Sequence, residues 1–212
     1  LKKPAHRGGH PANLCYSCQI MNILPRLCLL AAVSLALTHP ISAAPETYKI
    51  DPVHSSIGFK IRHLGISWVN GSFNDFEGQV VFDPEKPENS SVNVIVKAAS
   101  IDTGSEKRDA HLRKPEFFGV EKAPTLSFKS TKVEKTGPNL YKVTGDFTVI
   151  GVTKSITFDF TGTDEVKGMQ GETRRGGETE FVLKRSDFGM NHMAGPIGDD
   201  VRVSLAFSGI KN

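Results

Sequence analysis

The chain has 212 residues, with 26 Lys and Arg against 23 Asp and Glu and a formal charge of +3. Four of the basic residues, Lys2, Lys3, Arg7 and Arg26, precede the first acidic residue, Glu46, so beyond that point 22 basic residues face 23 acidic ones, a net of −1. The basic excess that would point to a nucleic-acid partner therefore belongs to the amino end alone, and nucleic-acid binding is not expected.

In chain order, the first signal is a leader. Met21 to Arg26 carries one basic residue, Leu27 to Leu37 is an apolar run, and Ser42-Ala43-Ala44-Pro45 supplies small side chains. That order is the pattern of a secretory signal peptide. The apolar run is too short for the ~20 residues that a membrane span needs, so cleavage is expected, with an uncleaved anchor as the weaker reading. The expected plan is an upstream extension over 1–20, a signal peptide over 21–44 and a single domain over 45–212. A cut after Ala43 avoids placing Pro45 directly after the scissile bond. Cys15, Cys18 and Cys28 all fall before the domain, so the Cys-x-x-Cys pair carries no redox or metal reading, and disulfides and thiol catalysis are excluded from the domain.

After Pro45 the dominant signal has period two, the mark of strands with one face against a core. Ile57, Phe59 and Ile61 alternate with Gly58, Lys60 and Arg62. Phe76, Gly78, Val80 and Phe82 follow, then Val92, Val94 and Val96, then Leu126 and Phe128. One stretch between them reads as helical: Ser105 as N-cap, residues 106–114 as helix formers and Pro115 as the stop. Tyr141, Val143, Gly145, Phe147 and Val149 form the next alternating face, followed by Ile156, Phe158 and Phe160. Phe181 with Leu183, and Val201 to Phe207, complete about eight strands. The fold class is all-β: an eight-stranded antiparallel barrel, or a sandwich, with one short helical insertion. A barrel is favoured because closure removes exposed edges. Its interior is wide enough for packed side chains or for one small ligand.

The ordered motifs resemble a known family. Tyr48-Lys49-Ile50-Asp51-Pro52-Val53-His54-Ser55-Ser56 with Phe59 and His63, then Gly71-Ser72-Phe73 and Phe76-Glu77-Gly78, are similar to the opening of YceI-like proteins. Ser100-Ile101-Asp102-Thr103, Arg108-Asp109-Ala110-His111-Leu112 and Phe117-Phe118 continue the likeness. So do Pro124 with Phe128 and Ser130, Gly145 to Lys154, and Arg185-Ser186-Asp187-Phe188-Gly189. The resemblance covers residues 46 to 210. It implies a lipocalin-like barrel in the bacterial periplasm that binds polyisoprenoids or similar long-chain amphiphiles, in a family whose members often form dimers, with a homodimer the expectation for this chain. No cofactor is required; a bound polyisoprenoid or isoprenoid quinone is the expected occupant, and transient membrane contact is a further expectation.

On that reading the inward faces supply the cavity: Phe59, Ile61, Phe76, Val80 and Phe128 from the first half, and Val143, Gly145, Phe147, Phe158, Phe160 and Phe181 from the second. Trp68, just past His63-Leu64-Gly65, joins them as an entrance residue. Each Phe has a plainer reading as core, and Trp68 as ordinary packing. Arg108 and His111 share a helix face at i and i+3 and, with His63, are the candidate polar mouth. Their plainer role is to tie the helix to the barrel. The loop Gly189–Pro196, with Met190 and Met193, reads as a portal or as a simple connection.

Catalysis finds less support. His54, His63, His111 and His192 show no compact metal-ligand spacing, and no Gly-x-Ser-x-Gly elbow is present. Glu178 and Glu180 share a strand face but read as surface charges. No catalytic or metal residue is assigned, and the chain is expected to bind rather than catalyse. An enzyme acting on a lipid-linked or small substrate and a scaffold with a filled barrel remain the alternatives.

Overall fold

The computed structural model describes residues 44–212. The expected extension, the leader up to Ala43 and all three cysteines lie outside the described residues.

The strands are β1 (Glu46–Ile50), β2 (Ser56–His63), β3 (Ser67–Phe73), β4 (Phe76–Phe82), β5 (Ser91–Lys97), β6 (Ile101–Asp102), β7 (Thr125–Gly137), β8 (Leu140–Val149), β9 (Val152–Gly162), β10 (Val166–Lys167), β11 (Thr173–Lys184) and β12 (Ile197–Lys211), with helix α1 (Glu106–Leu112) between β6 and β7. Followed sideways, β1–β4–β5–β7–β8–β9–β11–β12 returns to β1, which closes an antiparallel ring of eight strands. The barrel reading holds over the sandwich.

The ring is made of nearly the same strands that alternation predicts, with one exchange. β12 is long enough to have two neighbours on one side: β1 pairs with its last residues, and β2 pairs with Ile197 to Ala206. At one end the wall therefore runs through β1, and at the other through β2, β3 and the short β6. The chain between β5 and β7, including α1, packs against that second end.

Two apolar layers follow from this arrangement. Ile50, Phe73, Phe76, Val96, Ile101, Leu126, Val149 and Phe188 pack together toward the α1 end. Tyr48, Phe82, Phe128, Val133, Tyr141 and Val143 pack together toward the end where β12 finishes.

Helix α1 is shorter than expected. It ends at Leu112, two residues before Lys114, because the chain turns there through bonds from Lys114 N to His111 O and from Phe117 N to Lys114 O. Ser105 occupies the N-cap position, but its side chain makes no capping bond.

Candidate functional site: the barrel interior

The alternating faces converge on an internal cavity of about 490 Å³. That volume lies within the range of ligand pockets, roughly 300–1,000 Å³. Phe59, Ile61, Phe76, Val80 and Phe128 all line it. So do Val143, Phe147, Phe158, Phe160 and Phe181. The rings contact one another: Phe158 stacks on Phe181 at 4.8 Å, and Phe128 leans on Phe158 at 5.4 Å. Aromatic walls of this kind offer large contact area and lose little side-chain freedom. A chain buried here gains ~0.8 kcal/mol per CH₂-sized group.

Gly145 and Trp68 are the two exceptions. Gly145 is buried but does not line the space, because the Phe128 ring lies over it. A Cβ there would stand 2.5 Å from Phe128 and 2.5 Å from the Lys129 carbonyl. The cross-strand ring fills the place of the missing side chain. Trp68 lies on the outer face, opposite Arg62 in the β2–β3 register. Its ring sits 4.1 Å from the Arg62 guanidinium and 4.8 Å from that of Arg202. The next pair away from the turn, Ile61 and Val69, faces inward.

Exposed lining residues occur at both ends, with Ser56, Thr163 and Ala206 toward the far end and a second group at the α1 end, which is taken as the mouth. Arg62, His63, Arg108 and Met193 line the cavity and also reach solvent. The mouth is thus framed by the β2 end, α1 and the loop before β12. His111 and Phe117 stand edge-on to His192 at 5.8 and 5.1 Å, which joins α1 and the following turn to that loop. The three expected mouth residues do meet the cavity, yet two of them are already engaged. Arg108 donates from Nε to Thr103 Oγ1 and from Nη2 to Thr103 O, both at 2.7 Å. His111 Nε2 lies 3.1 Å from Glu116 Oε1. Arg108 thus anchors α1 to the β6 segment, and its Nη1 is left without a hydrogen-bond partner among the described residues.

Besides Arg62, two cavity-lining arginines were not singled out by sequence reasoning. Arg185 is buried at 6% exposure and has no carboxylate within ion-pair distance among the described residues. Instead it donates to four carbonyls: Gly198, Met190, His192 and Ile197. Burial pulls its pKa down, and the carbonyl dipoles hold the charge. Those four bonds fold the loop from Met190 to Gly198 around one side chain. Arg175 lies at the far end, over the Phe82 ring at 4.4 Å, where Phe82 also meets Tyr141 edge-on. Its Nη1 donates to Thr163 O, while its buried Nε has no hydrogen-bond partner among the described residues. Both arginines were within reach of the sequence: 175, 179, 181, 183 and 185 share the parity of the inward Phe181.

Tyr48 is fully buried beside this far end and donates to Glu46 Oε2 at 2.6 Å. Burial raises the pKa of both Tyr48 and Tyr141, so each stays protonated, with the Tyr48 proton committed to Glu46. The Glu178 and Glu180 side chains are exposed on the outer face, as expected of surface charges. Among the described residues, no three His, Cys, Asp or Glu side chains are placed to share a metal ion.

The comparisons agree with this architecture. The YceI-like domain model matches residues 48–208. A UPF0312 protein of Pectobacterium atrosepticum is 40% identical over 184 residues, covering 86% of this chain and 95% of its own. One from Photorhabdus laumondii is 40% identical over 177 residues, covering 82% and 92%. Among solved structures, the Campylobacter jejuni YceI protein superposes with a TM-score of 0.62 at 31% identity, covering 71% of this chain and 90% of that one. BcnA of Burkholderia cenocepacia gives a TM-score of 0.67 at 23% identity, covering 75% and 98%, a likeness of fold. So does a domain of Saccharophagus degradans described as polyisoprenoid-binding, with a TM-score of 0.59 at 13% identity over 78% and 98%. With an eight-stranded ring around an apolar interior and a family model spanning most of its length, this chain belongs to the YceI-like family.

Proposed function

We propose that the protein is an exported carrier that holds the apolar tail of a long-chain isoprenoid or similar amphiphile inside the barrel. The observation that carries this reading is the continuous aromatic and aliphatic cavity, lined from His63 at the mouth to Arg175 at the far end. No constellation of nucleophile, base and orienting group lines that space, which favours binding over catalysis. The solved domain described as polyisoprenoid-binding has the same fold and supports the choice of ligand class. A polar head at the mouth would meet His63, His111 and the free Nη1 of Arg108.

A second orientation is favoured by one specific feature. The buried Arg175 Nε has no partner among the described residues, and an unmade hydrogen bond to a buried donor costs about 1–3 kcal/mol. A ligand oxygen at the far end, such as a quinone carbonyl, would satisfy it.

The test is native mass spectrometry of the protein recovered from the producing cells, followed by organic extraction. An isoprenoid or long acyl chain released in near-stoichiometric amount is the expected result. Protein that carries no lipid, and takes up none when offered polyprenol in detergent, would overturn the carrier reading. Amino-terminal sequencing of the same sample tests export, with a start at Ala44 or Pro45 expected. A protein retaining residues 1–20 would contradict it.

A further inference from the structure

The β2–β3 turn breaks the usual rules of turn chemistry. Leu64 and Gly65 both have positive φ, 51° and 70°, and Ile66 N closes the turn on His63 O at 3.1 Å. A two-residue turn of this hand favours Asn-Gly, because a side chain with a full Cβ and no local hydrogen bond is strained there. Leucine has instead been placed at the strained position, and its side chain gains little burial for it: Leu64 is 57% exposed and Ile66 80%. Strain spent on exposing apolar surface is a signature of function, not of packing.

The surroundings indicate what the tip meets. Leu64 N donates to Pro196 O at 2.7 Å, so the tip is joined to the loop that frames the mouth. Met193 on that loop also has positive φ, 52°, and is 42% exposed. Just below the tip, Trp68 sits on the outer wall with Arg62, Arg202 and Lys60 around its ring. None of these three cations forms an ion pair among the described residues, although Glu180 borders the same outer groove as Lys60 and Arg202. An apolar tip, then an amphipathic indole level with Arg62, then Lys60 and Arg202 on long stems is an order of groups that a lipid interface accepts from inside outward.

We propose that the β2–β3 tip, with Met193, docks the protein on an anionic phospholipid surface and seats the cavity mouth at the level of the acyl chains. The purpose of this surface rests on the carrier reading, since docking there places the mouth where a lipid tail leaves the bilayer. Leu64, Ile66 and Met193 enter the apolar boundary, and Arg62, Lys60 and Arg202 meet lipid phosphates.

Trp68 is the only tryptophan of the chain and so reports directly on the encounter. Full-length protein as exported is mixed with vesicles of phosphatidylglycerol and phosphatidylcholine, or of phosphatidylcholine alone, and followed by Trp68 emission and by co-flotation. Binding is expected with the anionic vesicles, with a blue-shifted emission, and is expected to weaken as salt rises from about 0.05 M to about 0.5 M. Ile66→Asp should weaken it by about tenfold or more, because the Ile side chain that would enter the lipid is replaced by a charge that repels the surface. Leu64→Asn should weaken it too while keeping or raising the melting temperature, since Asn tolerates the left-handed backbone. That pairing separates docking from a folding defect. Unchanged emission with all protein left below the vesicles, or variants that bind like the unaltered protein, would overturn the proposal. Loading is measured separately with polyprenol in detergent, where Ile66→Asp should fill as the unaltered protein does. An empty cavity in that arm sinks the carrier reading, whereas the vesicle arm alone decides docking.

Discussion

Asp51 is the most strongly perturbed carboxylate. The Arg174 guanidinium, first, and then the His54 ring donate to it, both at 2.7 Å, and hold its pKa at about 2 against an ordinary 3.8. The folded value lies below the unfolded one, so the contribution to stability is complete above about pH 4. It is lost as pH falls through about 2. Asp51→Asn should therefore lower the melting temperature at neutral pH and flatten its decline between about pH 4 and pH 2. Thermal denaturation across that range checks both. Gly145 illustrates what alternation leaves out. Period two places position 145 inward, and the residue is indeed buried, but it cannot say that the Phe128 ring reaches across from β7 to cover it. Gly145→Leu would thus clash with the Lys129 backbone before it touched a ligand, and the folded fraction in a urea titration should fall sharply. Phe128→Ala should cost about 3–5 kcal/mol in the same titration, by removing a buried ring and its packing.

At the level of elements, the strands with strong alternation were legible and the weak ones were not. β8 alternates over its whole length and β9 from Ile156 onward, and their pairing from Leu140↔Thr161 to Val149↔Val152 runs without a break. β3 has no such signature. Its inward positions are Val69, Gly71 and Phe73, while its largest side chain, Trp68, points outward among cations. A glycine inside and an indole outside invert the usual contrast, which is why Trp68 reads from sequence as an entrance residue. β1 is short, and only the long β12 shows that β1 and β2 share one place in the wall. The loop of residues 189–196 combines methionines and glycines, but nothing in its composition announces that Arg185 holds it. Arg185→Met should remove four donors from the carbonyls of Met190, His192, Ile197 and Gly198. Amide exchange across residues 189–198 should then rise by an order of magnitude or more while the β8–β9 pairing stays protected, because local openings can be far cheaper than global unfolding. Uniform loss of protection would show that Arg185 stabilises the whole barrel rather than the mouth.

At the scale of the molecule, a barrel filled with side chains and a barrel holding a ligand have the same alternating faces, so the sequence alone leaves the interior open. The structure shows a closed ring whose two apolar layers leave a cavity between them. The account predicts that filling this space from the wall blocks binding. Val203 lies between Phe181 and Phe59 in the register and lines the cavity, so Val203→Trp would project a large ring into the lumen. Overpacking should cost about 1–3 kcal/mol, which leaves room for a folded variant. Lipid uptake by that variant should nonetheless fall severalfold, read by native mass spectrometry. The most direct test of the central claim is a crystal structure of the protein loaded with a polyprenol. Continuous density inside the ring, running from the mouth at His63 and Arg108 toward Arg175, is the predicted result. Lipid bound only on the outer face, with the aromatic walls collapsed onto one another, would contradict it.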